Sequence, residues 1–268
     1  MVLVTTAMGF FFGGKGIHSL SLFLFTLLGT ALASSGANTL NQYLERDADS
    51  KMERTKDRPI PKGLISPSRA LSFGILLTLG GVFLLAWKVN LLTAFLVLLA
   101  AFLYDVVYTP MKKLSWLNTL IGAIPGAIPP LAGWTAAAGS IGFGGWILFW
   151  ILFLWQHPHF FAIAWMYKDD YERGGFKMLP VVEPDGRRTF RQILWHSVLL
   201  IPISLMPTMI GMAGKTYFIG ALFLGLAFLA VGILFARSRT TVDARKLLRA
   251  SVIYLPLLLI LIVVDAGF

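Results

Sequence analysis

The chain has 268 residues, of which 57% are hydrophobic and only 13% are charged, and its mean hydropathy is +0.75. This composition excludes an ordinary soluble globular protein and indicates a polytopic membrane protein. The formal charge of +10 does not indicate a nucleic-acid partner, because the basic residues fall in loops between apolar segments. The sequence has no cysteine, which excludes disulfides, thiolate metal ligands and a cysteine nucleophile.

Apolar segments follow one another along the whole chain, and most are near the roughly 20 residues that cross a bilayer. Nine are predicted, at residues 1–12, 19–44, 69–87, 91–109, 115–138, 143–167, 191–213, 216–236 and 247–265. The first is short and lacks a basic n-region and a cleavage site, so we interpret it as a spanning or interfacial helix and not as a signal peptide. No linker divides the chain, which predicts one all-α domain over residues 1–268.

Basic residues are distributed unevenly between the predicted loops. The regions 46–69, 112–113, 168–191 and 237–249 contain 20 of the 23 Lys and Arg residues. This asymmetry is the positive-inside pattern, which places the amino terminus and these regions in the cytoplasm and the carboxyl terminus outside. We therefore expect a multi-pass protein of a prokaryotic cell membrane, the inner membrane where there are two, with its charged face toward the cytoplasm.

The segment that follows the second apolar stretch concentrates both acids and bases. Asn41, Glu45 and Asp49 recur every fourth residue, so on a helix they form one polar stripe. Two carboxylates and an amide oxygen are ligands that Mg²⁺ accepts, and Mg²⁺ usually completes its octahedron with waters and substrate phosphates. The stripe predicts a magnesium site for a phosphorylated substrate. The alternative interpretation is a solvated loop whose charges neutralise one another.

Basic side chains that could hold phosphate oxygens lie in two places. Those that continue the four-residue spacing beyond the acids are Arg54, Arg58 and Lys62. The other pair, Lys112 and Lys113, follows Pro110, where we expect the helix to end at the cytoplasmic mouth. Lysines at a helix end also extend toward water without any ligand, and that alternative stays open.

A second polar cluster lies in the sixth predicted helix. His157 and His159 flank a proline there, and Asp169 and Asp170 follow about ten residues later. The imidazoles could bind a metal, carry a proton or anchor a polar edge of a substrate. Hydrogen-bonded packing is the alternative, although polar groups at membrane depth are costly. His196 stands alone on the next helix and is interpreted as a packing residue.

Four stretches of this sequence resemble the UbiA-type intramembrane prenyltransferases, and most closely their heme-farnesylating branch. The stretches are NQYLERDADSKMERTKDRPIPKG, YTPMKK, NTLIGAIPGAIPPLAGW and WQHPHFFAIAWMYKDDYERGGFKMLPV. Asn41, Glu45 and Asp49 supply the first acidic motif of that superfamily, with Glu45 where many relatives have Asp. The resemblance covers nearly the whole chain.

The resemblance implies nine transmembrane helices around a central cavity. It further implies transfer of the farnesyl group of farnesyl diphosphate to the 2-vinyl group of protoheme IX (heme B), giving heme O and diphosphate with the assistance of Mg²⁺. The implied catalytic residues are Asn41, Glu45, Asp49, Asp169 and Asp170, and the four acids among them are the implied metal ligands. The implied diphosphate contacts are Arg54, Arg58, Lys112 and Lys113, and the four-residue spacing adds Lys62 to them. The implied heme-binding residues are Asn38, His157 and His159.

The expected partners are farnesyl diphosphate, heme B, the lipid bilayer and a downstream heme-modifying enzyme, with no nucleic acid. An aromatic or quinone-precursor prenyltransferase would use the same acidic stripe, but the histidine cluster and the GAIPGAIPPLAGW stretch argue against it. A membrane transporter would be expected to show repeated halves and charges near the bilayer midplane, whereas these charges gather at one face. The product carries a hydroxyl whose source the sequence does not locate.

Overall fold

The computed structural model describes residues 1–267, which form helices and connecting loops without a β-strand in that range. The helices in chain order are α1 Val2–Gly13, α2 Leu20–Asp49, α3 Pro67–Lys88, α4 Leu91–Phe102, a π-helical turn Leu103–Tyr108, α5 Thr109–Leu114, α6 Asn118–Ala138, α7 Phe143–Met166, α8 Lys168–Arg173, α9 Leu179–Val182, α10 Arg187–Met209, α11 Lys215–Ser238 and α12 Thr241–Val264.

Eight of the described helices are long and apolar enough to cross a membrane, and α4, the π-helical turn and α5 together form one of them, Leu91–Leu114. The first predicted segment, residues 1–12, corresponds to α1, which is apolar but has only 12 residues. The prediction of an all-α polytopic membrane protein is therefore confirmed, and the nine predicted segments correspond to eight long spans and one short helix.

Several helices extend beyond their predicted apolar limits. Helix α2 continues to Asp49 and not to residue 44, and α12 begins at Thr241 and not at residue 247. The Thr240 side chain caps α12 by accepting a hydrogen bond from the backbone N–H of Asp243. Hydropathy marks the part of a helix that lies in hydrocarbon, whereas the backbone hydrogen bonds continue into the polar zone.

The prediction that Pro110 ends its helix is wrong. The chain widens into the π-helical turn before this proline, and α5 then continues through Pro110 to Leu114. Pro110 lies in the first turn of α5, where a missing N–H costs little. The hydroxyl of Thr109 donates to the carbonyl oxygen of Tyr104 at 2.9 Å across the widened turn. As a result Lys112 remains on a helix and keeps a defined direction.

Small residues allow the helix backbones to approach one another closely. A Cβ atom on Gly133 of α6 would lie 1.9 Å from the carbonyl oxygen of Thr6 in α1. A Cβ atom on Gly36 of α2 would lie 2.6 Å from the carbonyl oxygen of Gly74 in α3. These distances are far too short for a real side chain, so both helix pairs depend on glycine.

Helix α7 lies at the centre of the structure and packs against α6, α10 and α12. Its buried side chains join the main hydrophobic core, which includes Leu148, Ile151 and Leu152. The side of α7 that carries Phe160 and Ile163 faces the central cavity, together with parts of α2, the π-helical turn and α6. The central cavity is therefore bounded on one side by α7, the most deeply buried of the eight long spans among the described residues.

Candidate active site

A polar cavity of about 210 Å³ lies where α2 and α5 end and the loops after α2 and α8 begin. Its walls include α6, α7 and the π-helical turn. The polar residues that line it are Asn41, Glu45, Asp49, Arg54, Arg58, Tyr104, Tyr108, Lys112, Thr119 and Tyr171. The fold thus brings the predicted acidic stripe of α2 together with three of the predicted phosphate-binding bases.

Two ion pairs with buried carboxylates organise this cavity. Arg58 Nη1 lies 2.7 Å from Asp49 Oδ2, and Lys112 Nζ lies 2.7 Å from Glu45 Oε1. Residue Asp49 is fully buried, and the Glu45 residue is only 5% exposed. Charges removed from water to this extent need partners, because an uncompensated buried charge is strongly destabilising. Each carboxylate of the stripe therefore faces a base across the cavity.

The residues present fit a magnesium ion. Within residues 1–267, Asp49 Oδ1 is buried and has no hydrogen-bond partner. The amide nitrogen of Asn41 donates to Thr109 Oγ1 at 2.9 Å, so the amide oxygen is left for another partner. Mg²⁺ is commonly held by one or two carboxylates plus substrate phosphates. Glu45 and Asp49, with Asn41 beside them, provide this donor set.

The loop after α2 folds over the cavity and is held there by Asp170 of α8. The carboxylate oxygens of Asp170 accept hydrogen bonds from the backbone N–H groups of Glu53, at 3.0 Å, and Arg54, at 3.3 Å. Arg173 also contacts this carboxylate. Met52 anchors the same loop in a small core with Phe176. The loop thereby positions Arg54 and Arg58 at the cavity.

The same contacts determine the acidity of Asp170. Burial opposes ionisation of this carboxyl, but the two backbone N–H groups and Arg173 outweigh burial and hold the pKa of Asp170 below its ordinary value. The resulting stabilisation is fully present above the ordinary pKa of a carboxyl group and is lost as the pH falls through the lowered value. At neutral pH the loop is therefore fastened by a charged carboxylate.

The four predicted metal-ligating acids do not form a single cluster. Asp169 is exposed, and the oxygens of Asp170 are turned toward the loop after α2. No group of three or more His and acidic residues within the part of the chain that the structure describes could hold a metal. Of the four, only Glu45 and Asp49 line the cavity. Metal ligation by Asp169 and Asp170 remains a prediction that this arrangement does not favour.

Two predicted phosphate contacts also lie away from the cavity wall. Lys62 is exposed and pairs with Asp57 at 3.0 Å, because the loop turns outward after Arg58. Lys113 follows Lys112 on α5, and this step along the helix directs its side chain to the exposed face. Of the three bases with the four-residue spacing, Arg54 and Arg58 line the cavity, and a phosphate contact by Lys62 remains a prediction that this arrangement does not favour.

The role of Asp170 can be tested by replacing it with alanine. We expect Asp170→Ala to lower the midpoint of thermal unfolding in detergent, because charged hydrogen bonds worth about 2 kcal/mol are lost. Transferase activity should fall as well, since Arg54 and Arg58 lose their support. Asp169→Ala is the matched control and should leave the midpoint unchanged. Equal midpoints for Asp170→Ala and the unmodified protein would refute the fastening role.

A second, apolar cavity of about 180 Å³ lies deeper between α2, α4 and α6. Small and aliphatic side chains dominate its walls, and the predicted heme-binding residue Asn38 is among the few polar ones. A third cavity, of about 130 Å³, shares Tyr104 with both others, Gly126 with the apolar cavity and Tyr108 with the polar one. The polar cavity and the apolar cavity are therefore neighbours, and the side chains around the third cavity lie between them.

The two predicted heme-binding histidines of α7 line none of these three cavities. His157 shares a hydrogen with the carbonyl oxygen of Phe153 at 2.7 Å and stacks on His196 with ring centroids 3.7 Å apart. His159 lies 2.8 Å from the hydroxyl of Ser251 in α12. Both imidazoles therefore lie on the side of α7 that faces α10 and α12. His196 packs, as predicted, but against another imidazole.

Gln156 is a cavity residue to which the sequence analysis assigns no role. It lies next to His157 on α7, is only 5% exposed, and lines the third cavity together with Thr119. A glutamine in an apolar helix is a signal in its own right, because an unpaired amide in a membrane is costly.

Comparison with protein families identifies one match that spans most of the chain. The model described as "UbiA prenyltransferase family" matches residues 2–255. The protoheme IX farnesyltransferase of Solibacter usitatus is 48% identical to this chain, over 99% of the chain and 94% of that protein. The protein of the same name from Salinibacter ruber is 47% identical, with the same coverage of both chains.

Solved structures with the same fold are more distant in sequence. A chain from the study of digeranylgeranylglyceryl phosphate synthase aligns with a TM-score of 0.83 at 17% identity, covering 98% of this chain and 92% of that one. A UbiA homolog from Archaeoglobus fulgidus, bound to DMAPP and Mg²⁺, aligns with a TM-score of 0.68 at 17% identity, covering 98% of this chain and 94% of that one. At these identities the likeness concerns the fold alone.

Proposed function

Because the chain belongs to the UbiA prenyltransferase family, we propose that it transfers the farnesyl group of farnesyl diphosphate to the 2-vinyl group of protoheme IX (heme B), giving heme O and diphosphate. The protein is a membrane-embedded prenyltransferase. The observation that carries the choice of substrates is the similarity over 99% of the chain to proteins named protoheme IX farnesyltransferase. Residues 1–268 are proposed to act as one domain.

The polar cavity is proposed to bind the diphosphate of the donor. Arg54, Arg58 and Lys112 supply positive charge at its wall, and arginine is suited to bidentate contacts with phosphate oxygens. Glu45 and Asp49 would hold Mg²⁺, which when bound neutralises the charge that develops on the leaving diphosphate. Arg58 and Lys112 already pair with these acids, so donor binding requires the pairs to rearrange around the phosphates.

The apolar cavity is proposed to receive the farnesyl chain. With the diphosphate beside Glu45 and Asp49 and the chain beside Ala33 and Ala37, the reacting carbon lies at the ring of side chains around Tyr104. Loss of diphosphate leaves an allylic cation there. The rings of Tyr104, Tyr108 and Phe160 line this junction and present faces that stabilise positive charge while they exclude water.

The two histidines of α7 are proposed to serve heme and not the donor. We expect His157→Ala and His159→Ala to weaken heme binding or farnesyl transfer to heme, while Mg²⁺-dependent binding of farnesyl diphosphate stays close to normal. The physical reason is that both rings lie away from the diphosphate cavity. Binding titrations with heme and with labelled farnesyl diphosphate measure the two effects separately. Variants that bind heme normally but lose farnesyl diphosphate would contradict the assignment.

The active site is proposed to face the cytoplasm of a prokaryotic cell membrane, which is supported by the basic residues gathered at the polar end of the helices. The chain has no cysteine, so a single cysteine that replaces an exposed serine reports which side of the membrane that position faces. We expect Ser66→Cys and Ser238→Cys to react only with reagents that reach the cytoplasm, and Ser140→Cys only with reagents applied from outside. The reverse labelling of all three would show the opposite orientation, in which the site does not face a donor in the cytoplasm.

The substrate assignment is tested with purified protein in detergent. Incubation with farnesyl diphosphate, Mg²⁺ and heme B should give a farnesylated porphyrin by mass analysis, and omission of Mg²⁺ should abolish it. An aromatic acid acceptor, offered in place of heme, tests the quinone-precursor alternative. Transfer to the aromatic acceptor and none to heme would refute the proposal. A heme-modifying enzyme that accepts heme O is the proposed downstream partner.

A further inference from the structure

Gln156 lies in the wall of the third cavity, which adjoins both others, and its side-chain amide is fixed in one direction. The amide nitrogen donates to the carbonyl oxygens of Leu152, at 3.0 Å, and Ala123, at 3.3 Å. Both contacts come from the main chain of buried helices, so the NH₂ end cannot turn without losing them. The other end, Oε1, has no hydrogen-bond donor among residues 1–267. Gln156 is only 5% exposed, so this acceptor without a donor belongs to a buried residue in the cavity wall.

The facing helix leaves space for this oxygen. A Cβ atom on Gly126 of α6 would lie 1.9 Å from Gln156 Oε1, so any larger residue at this position would displace the amide. Gly126 and Gln156 line the same 130 Å³ cavity, together with Thr119, Tyr104 and Tyr108. Thr119 Oγ1 donates to Asn118 Oδ1 at 3.2 Å, which leaves its lone pairs free to accept. The cavity is large enough for an ordered water, which needs two to four polar partners.

The chemistry of the proposed reaction requires a water beside the reacting vinyl group. The π electrons of the vinyl group attack the farnesyl cation, and a new C–C bond forms at the outer vinyl carbon. Positive charge then develops on the vinyl carbon next to the porphyrin, where the ring stabilises it. A hydroxylated product results only if water adds to that carbon before a proton is lost. Loss of a proton instead would give an alkene that is lighter by one water.

We infer that Gln156 Oε1 holds the water whose oxygen becomes the hydroxyl of the product. This inference rests on the proposed function and concerns its last step. The water hydrogen-bonds to Gln156 Oε1 through one hydrogen, and its lone pair adds to the porphyrin-side carbon and forms the C–O bond. An amide is too weak a base to keep the proton, so the proton passes to the diphosphate released earlier into the adjoining polar cavity. Gln156 is therefore a positioning residue for the water.

Two experiments on the whole protein in detergent test this inference. The first incubates the unmodified protein with its substrates in water enriched in heavy oxygen and follows the mass of the porphyrin product. We expect heavy oxygen in the new hydroxyl. A hydroxylated product without heavy oxygen overturns the inference, whereas the absence of any farnesylated product would refute the proposed function itself.

The second experiment measures the ratio of hydroxylated to alkene product in variants. In Gln156→Met, which keeps length but loses the acceptor, we expect the ratio to fall about tenfold, as for one lost hydrogen bond. Gly126→Ala, which displaces the same oxygen, should shift the ratio in the same direction. Gln156→Glu, which keeps an oxygen, should retain hydroxylated product. Gln192→Met on α10, outside the three cavities, is the matched control and should leave the ratio unchanged.

The product ratio separates positioning of water from a purely structural role, which would lower the rate and leave the ratio intact. An unchanged ratio in Gln156→Met overturns the inference. So does complete loss of transfer in both Gln156→Met and Gln156→Glu when their thermal unfolding is normal, because Gln156 would then act before water adds. An inactive Gln156→Met beside a hydroxylating Gln156→Glu supports the need for an oxygen at this position.

Discussion

Replacing Asp49 by alanine is expected to lower the rate of farnesyl transfer by about 10²–10³-fold or more, the usual cost of losing one preorganised charge at a reacting group. Asp49 is fully buried, lines the cavity and pairs with Arg58, and its second oxygen, Oδ1, has no hydrogen-bond partner within residues 1–267. Glu45→Ala should have an effect of similar size, and Asp49→Lys should be at least as damaging because it reverses the charge. Initial rates with heme B and farnesyl diphosphate measure the loss.

The matched control for these variants is Asp57→Ala. Asp57 lies in the loop after α2, is exposed and pairs with Lys62 outside the cavity. Its removal should leave the rate near that of the unmodified protein. Near-normal activity in Asp49→Ala or Glu45→Ala, in protein that is folded in detergent, would break the assignment of these acids to the metal and diphosphate site.

The second large effect is expected at Lys112. Lys112→Met removes the partner of the buried Glu45 carboxylate and one of the positive charges at the cavity. We expect the rate to fall by about 10²-fold, in the range found for a lost charge at a transferring phosphoryl group. The KM for farnesyl diphosphate should rise because the diphosphate loses a contact. Steady-state kinetics with varied donor concentration resolve the two changes.

The structure and the sequence give different expectations for the replacement of Lys113. The sequence assigns both lysines to the diphosphate, whereas only Lys112 lines the cavity and Lys113 is exposed. Lys113→Met should therefore retain most of the activity. Equal losses in the two variants would show that the diphosphate extends beyond the cavity and contacts both side chains.

The part of the site on α2 could be predicted from the sequence for a clear reason. Helical spacing alone places Asn41, Glu45 and Asp49 on one stripe. Carboxylates next to a membrane need a bound cation or an ion-pair partner, because a buried charge without one is costly. The spans could be predicted because hydropathy reports residues in hydrocarbon. The predicted end of the second segment at residue 44 falls short of the observed end of α2 at Asp49, because the helix continues where hydropathy falls.

The role of Asp170 could not be predicted, because its partners are backbone N–H groups of Glu53 and Arg54 that are more than a hundred residues away in sequence. A carboxylate that binds metal and one that fastens a loop look alike in a sequence. The same limit applies to His196, whose neighbour His157 comes from another helix. The π-helical turn before Pro110 was also hidden, since no residue pattern distinguishes it from a helix that stops there.

An experimental structure of the protein with Mg²⁺ and an analogue of farnesyl diphosphate that cannot ionise would test the proposed donor site most directly. We predict diphosphate density beside Glu45, Asp49 and Arg58, with the farnesyl chain passing Tyr104 into the apolar cavity lined by Ala33 and Ala37. Diphosphate density elsewhere on the protein, or a farnesyl chain that leaves the apolar cavity empty, would contradict it.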